Sequence, residues 1–409
     1  MLFLKKKPDT PVTAATNAQE VRSFVDFIPY YCHYDPHTIL TKNGELLQII
    51  KIASNARGLN YESGNNLGGS VREAIRKAVT SHIASDQFSI CVHTIRKRKP
   101  THFRGHYANP FAAYVYDQWQ SRHRWQYQYY NEVYVTILRE GQSAELLNPK
   151  HYRHTFFPRQ NREFRHRYLE AMRQDLEKAT DAILRTIREH YNAHVLGIVE
   201  RVPSEFMPSL RQPISFSEPM EFLGTLMNLS ATPYPLWEAD IANTINDHAI
   251  TFGYNALETR NAAEHRRFGA MLTLKRYHEA PPETIDRVLQ SSSEIIISQA
   301  FNFISSERAL KTYRMQKEWF TISGDSYSTR VTGLNDVLKN DNNRSVDFGE
   351  QQTSIMVIVD DYRQLEPEVI RIQDMFGSMG MTTVREDLLL EECFWAQLPG
   401  NFEFIRRKD

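Results

Sequence analysis

Apolar residues in this chain come in short runs, and run length limits what it can build. The longest strongly apolar stretch, Ile355-Met356-Val357-Ile358-Val359, is only strand length. A bilayer-crossing helix needs about 20 such residues, so no segment reads as a membrane span. Runs of four to eight residues rich in β-branched and aromatic side chains predict strands instead. They fall at Phe88–Ile95, Glu132–Leu138, His194–Val199, Ala270–Lys275, Ile295–Phe301, Ser354–Val359 and Met381–Arg385. Upstream, Thr38–Thr41 and Glu45–Ile52 flank Lys42-Asn43-Gly44. Asn-Gly tolerates the positive φ of a tight turn, so this pair predicts an N-terminal β-hairpin.

Helical periodicity fills the gaps. Val71, Ile75 and Val79 share one face of a helix from Ser70 to about His82. Further helices are predicted over about 107–128, 161–190, 283–291, 305–320, 330–339, 366–378 and 388–397. Each half then reads strand, helix, strand, inserted helix, strand, helix, strand. That order is the split βαβ, ferredoxin-like pattern. The expectation is an α+β protein of two tandem ferredoxin-like units. Residues 1–22 form a flexible lead, 23–200 the first unit, 201–265 a Pro-rich connector and 266–409 the second unit. The connector contains a short helix at 218–228 and a hairpin at 239–253. At 409 residues and 41 % apolar content, the chain is long enough for two to three cores.

Lys+Arg and Asp+Glu both number 49. A surface that is cationic all over is excluded, although a local basic face is not. Cys32, Cys91 and Cys393 form no CxxC spacing, which excludes a disulfide framework and suits a reducing compartment. The start MLFLKKKPDTPVTA places its charges after a very short apolar stretch, the reverse of a secretory signal. The expected location is cytosolic.

Catalytic patterns are scarce. GxxxxGK[ST], whose backbone amides would cradle phosphates, does not occur. The strand ending in Asp360-Asp361 resembles one that holds Mg²⁺ in such enzymes, but without the loop it reads as a buried strand running into a turn. His33 and His37, and His102 and His106, are four apart. Pro36 interrupts the first pair and neither has an acidic or Cys complement, so they read as surface or hydrogen-bonded structural histidines rather than zinc ligands. No GxSxG occurs. The expectation is no catalytic residue, no nucleotide-binding residue, no metal and no cofactor on this chain.

Residues 96–130 stand out. Seven are Arg or Lys, ten are aromatic and only Asp117 is acidic. Arg153, Arg159, Arg162, Arg165 and Arg167 follow. Such a mixture can hold single-stranded nucleic acid, sit at an anionic membrane surface or anchor a protein interface. Alternatively, Phe111, Tyr114, Val115 and Trp119 simply face the core. Candidate partner contacts are Arg96, Lys97, Arg98, Lys99, Trp119, Arg122, Arg124 and Trp125.

Near the C-terminus, Phe394-Trp395-Ala396-Gln397-Leu398-Pro399-Gly400-Asn401 precedes a strand start at Phe402–Ile405 that looks cut short. This segment resembles the FwaqLPGN signature of the CagE/TrbE/VirB-type conjugation and type IV secretion ATPases. Phe27-Ile28-Pro29-Tyr30 with Thr41–Leu46 resembles that family's opening hairpin. Asn131–Thr136 is similar to its "Ne.y.t" strand, and Phe268–Lys275 with Gln299-Ala300-Phe301 to a further stretch. The resemblance spans about 25–405. It implies the N-terminal half of such an ATPase, with the ATP- and Mg²⁺-using motor beyond residue 409. It also implies a bacterial protein, cytoplasmic and peripheral at the inner membrane. Its partners would be a short inner-membrane subunit and other components of the secretion machine, and it would associate with itself. The rival expectation is a nucleic-acid-binding accessory protein that uses residues 96–130.

Overall fold

The computed structural model describes residues 23–52, 87–100, 109–123, 127–141, 159–189, 191–203, 212–276, 287–304, 348–401, residue 404 and scattered positions between 309 and 322. The predicted helices at 70–82 and 330–339 lie outside the described residues.

A short helix α1 (Phe24–Phe27) leads into β1 (Tyr30–His33), β2 (Ile39–Thr41) and β3 (Leu46–Ile52). Gly44 has φ 85° in the β2–β3 turn, as the Asn-Gly signal requires. β4 (Phe88–Pro100) and β5 (Tyr127–Arg139) run past the predicted strands at one end, so the helix between them, α2 (Pro110–His123), is shorter than predicted. Next come the long α3 (Arg159–Arg188) and strands β6 (Ala193–Val195), β7 (Ile198–Arg201) and β8 (Ile214–Ser217). After them lie α4 (Glu218–Asn228), α5 (Ile241–Ile245), β9 (Ala249–Phe252) and β10 (Leu257–Arg260). The chain continues with β11 (Arg266–Arg276), β12 (Glu294–Ile304), β13 (Phe348–Val359), α6 (Leu365–Ser378), β14 (Thr382–Arg385) and α7 (Leu390–Ala396).

The protein is α+β, with an antiparallel sheet. In the first half the strands lie side by side as β6-β3-β5-β4, and in the second as β14-β11-β13-β12. Both are in the order fourth, first, third, second. The halves meet edge to edge. β4 and β12 pair antiparallel from Arg96↔Ile295 to Ser89↔Asn302, which makes one continuous sheet. Strands β1 and β2 extend it at one edge, β10 and β9 at the other.

Strand alternation sends side chains to two faces. Leu47, Ile49, Tyr134, Leu138, Ile296, Met356 and Ile358 join one core with α4, α5 and α7. On the opposite face, α3 covers Leu46, Ile50, Val135 and Ile137 with Met172, Leu176, Ala179 and Ile183. There α6 covers Ile295, Ile355 and Val357 with Val369, Ile372 and Phe376. Coverage on both faces explains why Ile355–Val359 is apolar at every position.

Described residues of the 201–265 stretch join this core. Nine residues of α4 are buried, from Pro219 and Met220 to Asn228. Where a hairpin is predicted over 239–253, residues 241–245 are helical and the hairpin lies at β9–β10.

Candidate docking surface

The basic run on β4 is placed residue by residue. Arg96 is buried, with Nε donating to the Ser291 carbonyl at 2.7 Å and Nη1 to Asn131 Oδ1 at 2.9 Å. Its guanidinium lies over the Tyr129 ring. Lys97 Nζ lies 3.0 Å from Glu132 Oε2, while Lys51 holds the other oxygen at 2.8 Å. Arg98 enters a four-membered ion network. It meets Glu294 at 3.0 Å and also Asp360, and Arg267 bridges the same two carboxylates. Three of the four cations are therefore engaged within the fold, Arg96 and Arg98 with the second half across the seam and Lys97 with β5 of the first. Only Lys99 is exposed. Trp119 and Arg122 are exposed on α2, and Arg124 and Trp125 lie outside the described residues.

The alternative of a core-facing α2 is overturned. Phe111 is 72 % and Tyr114 61 % exposed, with Val115 and Trp119 also exposed on the same helical stripe. Periodicity alone cannot find such a surface, because an apolar stripe at helical spacing reads the same whether protein or nothing covers it. Helical residues in the β12–β13 insertion repeat the feature. Met315, Trp319 and Ile322, at helical spacing, are exposed, Trp319 at 78 %.

The C-terminal motif is structural. Phe394, Trp395 and Leu398 are buried in the largest core, and Trp395 stacks on Phe27 with centroids 5.2 Å apart. Gln397 Nε2 donates to the Leu226 carbonyl at 3.1 Å, tying α7 to α4. Asn401 Nδ2 donates to the carbonyls of Phe27 at 2.8 Å and Trp395 at 3.0 Å. Gly400 has φ 101°, and a Cβ there would sit 3.4 Å from Glu45 Oε2 and 3.5 Å from Pro29. The motif clasps the N-terminal hairpin against the end of the sheet.

Several catalytic possibilities dissolve into structure. Asp360 is spent on Arg98 and Arg267, and Asp361 caps the following turn by accepting from the Arg363 amide. His33 Nε2 lies 2.8 Å from Ser217 Oγ, and His37 Nδ1 donates to the Leu196 carbonyl at 3.1 Å. His102 and His106 lie outside the described residues. The sequence does not reveal that Ser230, His248 and Asp247 come together. His248 Nε2 is 3.2 Å from Ser230 Oγ, and its Nδ1 is 2.6 Å from Asp247 Oδ1. These are triad distances. However, Ser230 sits just past the carboxyl end of α4, whose partial negative charge opposes an oxyanion. Asp247 also accepts from Asn228 Nδ2 at 2.6 Å. The cluster locks the end of α4 to the start of β9.

Comparison with known proteins decides the family. The sequence model of the CagE, TrbE, VirB family, component of type IV transporter system, matches residues 209–407. That of the type IV secretion system ATPase VirB4/TrbE N-terminal domain matches residues 37–145. Together the two cover more than half of the chain. This chain belongs to the CagE, TrbE, VirB family. Among its relatives, the type IV secretion system protein virB4 of Bartonella quintana is 26 % identical over 395 residues, covering 93 % of this chain and 47 % of the relative. Protein virB4 of Agrobacterium fabrum is 22 % identical over 388 residues, covering 94 % and 46 %. The type IV secretion system protein PtlC of Bordetella pertussis is 23 % identical over 400 residues, covering 96 % and 46 %. The chain thus spans about half the length of the relatives it matches. In this CagE, TrbE, VirB family member, the quoted C-terminal motif falls inside the first match, and the Asn43-Gly44 hairpin and the Asn131–Thr136 strand inside the second. No described helix is long and apolar enough to cross a membrane.

Proposed function

We propose that this chain is the docking and self-association module of a type IV secretion or conjugal transfer ATPase. It holds the motor at the cytoplasmic face of the bacterial inner membrane, against a short membrane subunit and its neighbours. Nucleotide and Mg²⁺ chemistry belongs to the motor half, and this chain alone turns over no ATP. The fourth-first-third-second strand order in both halves supports reading each as a split βαβ unit.

The observation that carries the docking role is the exposed stripe Phe111, Tyr114, Val115 and Trp119 on α2. Arg122 lies on the same helix, and Lys99 at the end of the adjoining strand. Aromatic and Arg side chains are the usual anchors of an interface, and each Å² of apolar area they bury contributes about 25 cal/mol before ordering costs. Arg96, Lys97 and Arg98 act as the support that holds this strand end in place. The test is co-purification with inner-membrane complexes from cells that assemble the machine. Phe111→Ser combined with Trp119→Ser should abolish it while leaving thermal unfolding unchanged. Undiminished capture of the double variant would overturn the role of this stripe.

A further inference from the structure

Between the sheet and α4 lies a cleft of about 270 Å³ that the docking role does not use. Its walls are charged in opposite senses. On the sheet side, Lys51 from β3 and Lys97 from β4 point at one carboxylate, Glu132 of β5, at 2.8 and 3.0 Å. Tyr134 Oη also donates to Glu132, at 3.1 Å. Glu132 thereby accepts three bonds, and although burial alone would raise its pKa, the Lys97 and Lys51 ammonium groups hold it below the usual carboxylate value. Each ammonium has three donors and spends one here, so the pair faces the cleft with donors to spare.

The helix side carries Glu218 and Glu221 in the first turn of α4. Glu218 accepts from the Gly197 amide at 3.2 Å, and Glu221 pairs with Arg201 at the rim. Between the walls lie Tyr134 and Phe222, stacked with centroids 4.2 Å apart. A simple anion would meet Glu218 and Glu221, and a simple cation would meet the lysines. A molecule carrying both charges satisfies both walls.

We infer that this cleft binds a small zwitterion of the aminophosphate class. Its phosphate bridges Lys51 and Lys97, and its primary ammonium donates to Glu218 and Glu221. The inference is independent of the docking role. The same chemistry is offered by a free aminophosphate and by a phosphoethanolamine lipid headgroup.

The test is titration of the full chain with O-phosphoethanolamine, followed by amide NMR shifts of residues lining the cleft. Inorganic phosphate and ethanolamine serve as half-ligands. Phosphoethanolamine should bind at least tenfold more tightly than either half, with shifts at Leu196, Thr225 and Thr232. Glu218→Gln with Glu221→Gln should remove the advantage over phosphate while leaving the unfolding temperature and the rest of the spectrum intact. A second arm floats vesicles containing phosphatidylethanolamine against phosphatidylcholine vesicles, whose quaternary ammonium has no N–H to donate. Capture by the former alone identifies the headgroup as the source. Binding of free phosphoethanolamine without capture identifies a soluble ligand. Equal affinity for phosphate and phosphoethanolamine, or no binding in either arm, would overturn the inference.

Discussion

The buried imidazole of His93, on β4, donates from Nε2 to the main-chain carbonyl of Gln397 at 2.8 Å, joining residues 304 positions apart. A carbonyl only accepts, so the tautomer protonated at Nε2 is fixed. This bond anchors the family's C-terminal motif to the strand that forms the seam between the halves. Burial lowers the His93 pKa to about 4.

Acid should therefore loosen the clasp. An unfolded His titrates near 6.5, so between about pH 6.5 and 4 the unfolded chain binds a proton that the folded chain refuses. Stability falls as pH drops through that window, by on the order of 3 kcal/mol from this residue. His93→Gln keeps a donor and removes the titration. Urea unfolding at pH 7 and pH 4.5 should show a smaller acid loss in the variant than in the parent. Parallel losses would show that His93 does not carry the effect.

Glu45 acts in the opposite direction. Burial and the Glu140 charge push its pKa up to about 8, against a single hydroxyl bond from Thr41 at 3.2 Å. The unfolded carboxyl ionises near pH 4.5, so its contribution is lost as pH rises from there through about 8. Glu45→Gln should gain stability relative to the parent progressively across that range, read as a difference in unfolding midpoint. A pH-independent difference would contradict the assignment.

The ion network at the seam should behave as a unit. Removing Arg267 leaves Glu294, whose side chain is 9 % exposed, with only Arg98. Arg267→Met should cost about 2–3 kcal/mol. Adding Glu294→Gln should recover part of it, because the stranded charge is then gone. A double-mutant cycle by chemical denaturation measures the coupling, and strict additivity would mean the network is energetically idle.

The motif itself should be needed for folding rather than for chemistry. Trp395→Ala removes a fully buried indole and should cost about 3–5 kcal/mol. Asn401→Ala takes the side-chain donor from the Phe27 carbonyl, while the Trp395 carbonyl keeps the Leu398 amide, and should cost about 1–3 kcal/mol. Calorimetry on both variants would show lowered transitions, and unchanged transitions would refute a structural role.

Much of the architecture is legible in the residues alone. Period-2 and period-3.6 patterning locates β4, β5, β11, β12, β13 and β14 and the helices α3, α4 and α6, and Asn43-Gly44 marks its hairpin, but it runs β6 and β7 together, passes over β8 and misplaces the β9–β10 hairpin. The quoted motifs, read in order, point to the family. These signals are local, because a backbone element imposes its own spacing on the side chains that share a face. What covers each face is not local. The β4–β12 seam is made of backbone hydrogen bonds, which any residues can make, so no side-chain pattern announces it. Arg96 and Lys99 are equivalent as letters. One is buried under Ser291 and the other exposed only because of where the second half of the chain lies against the first. Likewise Phe111 and Met172 both sit on apolar helical stripes. Only the tertiary structure lays the sheet over Met172 and leaves Phe111 bare, since burial depends on which elements meet and not on the periodicity of either one.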